Sequence, residues 1–108
     1  MQNSSIFWLV NISFFTKDNL ICGYEISGHS GSAESGQDII CASVSSAAYM
    51  AANTLSEILG AEIEAEVADG YMKIRVASKL SEAQQILEGL RLHLRSLAGD
   101  YPDNIKVI

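Results

Sequence analysis

From residue 61 to residue 76 the chain writes one structural instruction more firmly than anywhere else. Ile63, Ala65 and Val67 alternate strictly with Glu62, Glu64 and Glu66, the period of a strand with one face toward a core. Asp69-Gly70 follows at once and is a strong two-residue hairpin signal. A turn at that dipeptide fixes the register: Val67 opposes Met72, Glu66 opposes Lys73, Ala65 opposes Ile74, Glu64 opposes Arg75 and Ile63 opposes Val76. Acid then meets base on one face and apolar meets apolar on the other, each charge pair contributing about 0.2 to 1 kcal/mol. The apolar face requires a second layer to cover it.

The rest of the chain supplies that layer. Residues 9–15 are rich in aromatic and β-branched types, Lys17-Asp18-Asn19 is a turn cluster, and residues 20–27 read again as strand, which predicts a first hairpin. Residues 30–37 hold two glycines and three serines without apolar period, the composition of a loop. Asp38 is a good N-cap for a long helix in which Ile40, Val44, Ala47, Ala48, Ala51, Leu55, Ile58 and Leu59 recur at helical spacing until Gly60 stops it. Its other face is small (Ala42, Ser43, Ser46, Ala52), which suits cover by other protein or by a second subunit. Ser81-Glu82-Ala83-Gln84 has the capping-box pattern. Ala83, Ile86, Leu87, Leu90, Leu94 and Leu97 then line a second helix to about Gly99, and residues 104–108 form a last strand. The order ββαββαβ predicts an α+β fold, a mainly antiparallel β-sheet with two helices packed on one face. Residues 1–108 read as one domain, with residues 1–8 an N-terminal extension.

Composition decides between partners and compartments. With 48% apolar and 19% charged residues and a single proline, disorder is excluded, and a chain of this size buries more than about 60% of its unfolded surface without a metal or disulfide. The apolar runs read as too short for a membrane span, and residues 6–10 lack the flanks of a signal peptide. A cytoplasmic protein is expected, with Cys22 and Cys41 kept as thiols. The net charge of -6 disfavours direct nucleic-acid binding and favours a basic partner.

The candidate chemistry lies between residues 28 and 46. With Asp38 as cap, Cys41 stands at the third helical position, where unpaired N–H groups and the helix dipole favour a thiolate. Asp38 accepts from the Cys41 backbone N–H in such a cap, and Ser45 lies one turn on, beneath Cys41. His29 leaves the preceding strand, and a histidine beside an activated cysteine is the pairing used in thiol catalysis. Amides of the intervening loop are candidate oxyanion donors; the loop comprises Gly28, Ser30, Gly31, Ser32, Ala33, Glu34, Ser35, Gly36 and Gln37. Plainer readings exist for each: Cys41 as a packed helix residue, His29 as part of a turn, Asp38 as a cap only and Ser45 as an ordinary helix residue. Cys22 reads as structural, His93 as a boundary residue without a ligand role, and Glu62, Glu64 and Glu66 as a solvated face. No metal and no cofactor is called for.

Ile26-Ser27-Gly28-His29, followed after the loop by Gly36-Gln37-Asp38-Ile39-Ile40-Cys41-Ala42-Ser43-Val44-Ser45, resembles the Ser-Gly-His and Asp-Ile-Val-Cys-Ala pattern of the ribosomal-processing cysteine proteases called Prp. The resemblance extends more loosely from Val10 to the C-terminus. It implies Cys41 as nucleophile, His29 as its partner, and Asp38 and Ser45 as supporting residues. It implies an α+β homodimer that removes a short N-terminal extension from large-subunit ribosomal protein twenty-seven, cutting after an aromatic residue. A basic ribosomal precursor suits an acidic enzyme. The loop departs from the pattern, with Ser32 and Ser35 where aromatic residues are common and Ser30 where alanine is frequent. Two other functions fit the residues alone: a non-enzymatic ribosome-associated binding module, and another small thiol hydrolase.

Overall fold

The computed structural model describes residues 10–28 and 35–108. In chain order these form β1 (Val10–Lys17), β2 (Leu20–Ser27), α1 (Ser35–Asn53) continued by a π-helical turn (Thr54–Ile58), β3 (Ile63–Ala68), β4 (Tyr71–Val76), α2 (Leu80–Asp100) and β5 (Ile105–Val107). The five strands make one sheet in the order β3-β4-β2-β1-β5. All neighbours are antiparallel except β1 and β5. This is the ββαββαβ arrangement that the sequence predicts.

The β3–β4 register is residue for residue the one set by Asp69-Gly70, with Gly70 in the left-handed region at φ 71°. In the first hairpin Asp18 and Asn19 both take positive φ, the turn geometry that matches strand twist. The β1–β2 register slips between Phe15 and Thr16, skipping Cys22. That bulge is what carries Ile21 to the core, where it is 1% exposed, although simple alternation from Tyr24 would turn it outward.

One face of the sheet takes both helices. Ile12, Tyr24, Ile26, Met72, Ile74 and Val76 meet Val44, Ala48, Ala51 and Leu55 of the long helix and Ala83, Leu87, Leu90 and Leu94 of α2 in a single core. The buried Tyr24 hydroxyl donates to the Ala48 carbonyl at 2.8 Å, which fixes α1 over β2; burial raises this phenol well above its ordinary range. On the opposite face Phe15 lies over Gly23. A Cβ at Gly23 would stand 2.3 Å from the Ile74 carbonyl oxygen, so close approach of β4 requires glycine there.

The helices depart from expectation at their ends. α1 begins at Ser35, so Ser35, Gly36 and Gln37 belong to the helix and Asp38 is its fourth residue instead of its cap. Residues 35–37 carry no apolar period in the sequence, so pattern alone left this first turn unread. At the other end the Leu59 N–H reaches the Thr54 carbonyl, an i to i+5 bond, and Ile58 is rotated outward to 81% exposure because the wider turn breaks the 3.6-residue phase. Gly60, at φ 76°, ends the helix as its sequence implies, with the Ala61 N–H donating back to the Leu55 carbonyl. Of the small-residue face, Ala52 is buried while Ala42 and Ser46 stay exposed.

The capping box does not form. α2 starts at Leu80 after Lys79 in a left-handed conformation, with no side-chain cap. Gln84 instead accepts from the Ile21 N–H at 2.8 Å and donates to the Ile21 carbonyl at 2.8 Å. The β2–β4 ladder stops at Gly23 and Arg75, and the Gln84 amide serves as the missing strand partner for Ile21.

Contrary to the sequence reading, residues Ile39–Ile58 are long and apolar enough to cross a membrane by length and composition. Core packing through Ile40, Val44, Ala48, Ala51 and Leu55 accounts for only part of that apolarity, since Ile39, Met50 and Ile58 stay exposed.

Candidate active site

β2 and the β3–β4 turn meet at one end of the sheet. The Gly28 N–H, at the exit of β2, donates to the Gly70 carbonyl at 3.0 Å, and Gly28 turns there at φ 93°, a conformation that costs glycine little. α1 passes over the same end. Between them lies a pocket of about 260 Å³ whose lining includes Gly28, Cys41 and Ser45. Cys41 is half-buried and packs against the core; Ser45, exposed, follows at i+4 as its spacing implies. The floor is apolar, formed by Val10, Ile26, Val44 and Met72, and the rim carries Tyr49, Asp69 and Gly70. A thiol and a hydroxyl thus border a cavity sized for one large apolar side chain of a peptide.

The helix start lies earlier than the sequence reading placed it. Cys41 is the seventh residue of α1, Ser35 being the first, so it lies beyond the first turn, within which unpaired N–H groups and the dipole act. His29 follows Gly28 directly in sequence but lies outside the described residues, as do Ser30, Gly31, Ser32, Ala33 and Glu34. Cys22 stands apart from the pocket in the β2 bulge, in keeping with a structural role, and His93 borders the groove between the helices. Among the described residues no cluster of His, Cys, Asp or Glu could hold a metal ion.

Tyr49, Asp69, Gly70 and Met72 carried no functional signal in the sequence. Tyr49 extends the Cys41 and Ser45 stripe by another four residues, which periodicity can reveal. The hairpin turn reaches the site only through the β2–β4 pairing, from Gly23 with Arg75 to Ser27 with Tyr71, and no local pattern encodes that pairing. Behind the turn the Tyr71 hydroxyl donates to the Glu25 carboxylate at 2.5 Å. That bond first, then partial burial and the charges of Glu25 and Glu66, push the phenol up to about 12.

A thiol on a helix beside a pocket that admits one large side chain, on an α+β sheet, is the layout of a small thiol-dependent hydrolase. The family model for cysteine protease Prp matches residues 9–106. The ribosomal processing cysteine protease Prp of Bacillus subtilis is 31% identical over 97 residues, covering 83% of this chain and 87% of that protein. A Streptococcus mutans crystal structure superposes with a TM-score of 0.81 at 27% identity, covering 92% of this chain and 91% of the other. The Staphylococcus aureus Prp structure in complex with a substrate peptide gives 0.84 at 22% identity, covering 93% and 98%; it shares the fold. This chain belongs to the Prp family of cysteine proteases.

Proposed function

We propose that this protease is a cytoplasmic endopeptidase that removes the N-terminal extension from the precursor of large-subunit ribosomal protein twenty-seven, with Cys41 as nucleophile and His29 as its base and acid. The observation that carries the reading is the placement of Cys41 and Ser45 on the wall of a pocket with an apolar floor that Gly28, the neighbour of His29, helps to line. The B. subtilis relative bears the name of a ribosomal processing protease, and the net charge of -6 suits a basic precursor.

In the proposed reaction His29 takes the thiol proton and the Cys41 sulfur attacks the scissile carbonyl carbon. The tetrahedral oxyanion is held by backbone amides. Collapse breaks the C–N bond as His29 returns the proton to the leaving amine, and water, deprotonated by His29, then cleaves the thioester. Ser45 supports the thiol from one turn away and Asp38 supports the start of the site. The apolar floor suits an aromatic residue before the cut. The chemistry uses no metal and no cofactor, and no nucleic acid enters it.

Incubation of the purified protein with the ribosomal precursor tests this directly. Cleavage at one site is expected, and Cys41→Ala should abolish it; cleavage that survives in the variant overturns the mechanism. Thiol reactivity without precursor cleavage would point to a different small-substrate hydrolase. We also infer a homodimer, for which the apolar groove of about 740 Å³ between α1 and α2, lined in part by Ala47, Met50, Ile86 and Leu97, offers support. Light scattering at micromolar concentration should return twice the chain mass of 11.7 kDa.

A further inference from the structure

Among the described residues β3 is the outermost strand on its side of the sheet, and none of them pairs with the free side of its backbone. Its exposed side chains include Glu64 and Glu66, with Glu62 just before it. The register sets Glu64 opposite Arg75 and Glu66 opposite Lys73, yet these cations turn away. The Arg75 guanidinium lies 5.0 Å and the Lys73 ammonium 5.7 Å from the centre of the Phe15 ring. Among the described residues the one ion pair is Arg91 with Glu88. The edge thus presents carboxylates that the fold itself does not pair. The opposite face of the same strand exposes Ala65 and Val67, the latter by 53%. β3 ends at Ala68, which lines the pocket that holds Cys41.

We propose that β3 is a docking rail for the substrate. An extended basic peptide adds beside it as a sixth strand, its alternate lysine or arginine side chains facing Glu64 and Glu66 and the intervening small apolar ones meeting Ala65 and Val67. The strand then leads the adjoining residues past Ala68 to Cys41. Charge selects this occupant over a second copy of the chain, since two β3 edges paired together would bring glutamates against glutamates. The inference rests on the protease reading for the fate of the docked peptide, while docking is measured without cleavage.

The probe is a fluorescent peptide of alternating lysine and valine, bound to the Cys41→Ala protein and followed by anisotropy at low salt. Two versions carry N-methyl groups, one on the lysine amides and one on the valine amides. In strand pairing only every second amide faces the rail, so one version should lose about tenfold or more in affinity, as expected when charge-neutral hydrogen bonds are removed together, and the other should retain it. Glu64→Gln with Glu66→Gln should weaken the unmodified peptide by about fivefold, the scale of two exposed ion pairs. Equal binding of the two methylated peptides, or unchanged binding to the double variant, overturns the proposal. Docking that follows this pattern without cleavage of the ribosomal precursor by the unmodified protein would defeat the protease assignment of substrate alone.

Discussion

Cys41 sits half-buried on the second turn of α1, where the helix terminus contributes little, so in the mechanism proposed above its activation falls to His29. His29→Ala should therefore slow alkylation of Cys41 by iodoacetamide at neutral pH and lower kcat on the precursor by about a hundredfold or more. An alkylation rate equal to that of the unmodified protein would show that the thiol is activated without the histidine. Tyr71 allows a second test at single-residue level, on stability. Its phenol is held at about 12 by the bond to Glu25, against an ordinary value of 10.0. Between those two values the unfolded chain has lost the proton that the folded chain keeps. The contribution is complete below pH 10 and is lost as pH rises through 12. Tyr24, raised by burial, acts in the same direction. Urea unfolding from pH 9 to 12 should thus show a shallower alkaline loss of stability for Tyr71→Phe than for the unmodified chain, and parallel curves would contradict the assignment.

Elements are joined in this fold by a few polar contacts placed where ladders stop. Gln84 is the plainest, since its amide meets both main-chain groups of Ile21 and also donates to the Leu80 carbonyl at 2.9 Å. Gln84→Ala should cost about 1 to 3 kcal/mol through the partly buried groups left unpaired, seen as a lower urea midpoint with an unchanged slope. A loss under about half a kcal/mol would mean that water replaces the amide. Gln84 also shows where sequence legibility stops. Ser81-Glu82-Ala83-Gln84 has the letters of a capping box, but the partner that claimed Gln84 is 63 residues away. Local patterns were legible wherever a period and a turn agreed, as in the β3–β4 register. They misled where a helix began without apolar period, at Ser35, or where a wider turn shifted phase, at Ile58. The site divides the same way: Cys41 and Ser45 are one helical turn apart and readable, whereas the contribution of Asp69 and Gly70 arises from strand order.

Across the whole molecule the balance of 13 acidic against 7 basic side chains creates a field that a basic peptide meets before it touches the pocket. Such steering raises association rates by about tenfold or more at low ionic strength, and it decays once the screening length falls to about 3 Å near 1 M salt. kcat/KM for a lysine-bearing precursor peptide should consequently fall by about tenfold between low and high salt, while a glutamine-substituted peptide of equal length should change little. The local glutamates on β3 and the global charge separate in this measurement. Replacing Glu64 and Glu66 with glutamine lowers the net charge only from -6 to -4, so part of the salt dependence should survive, with a shallower slope. If the two-residue variant loses the whole dependence, attraction acts at the strand edge alone; if the slope is unchanged, the field of the remaining acids governs encounter and the edge has no part in it.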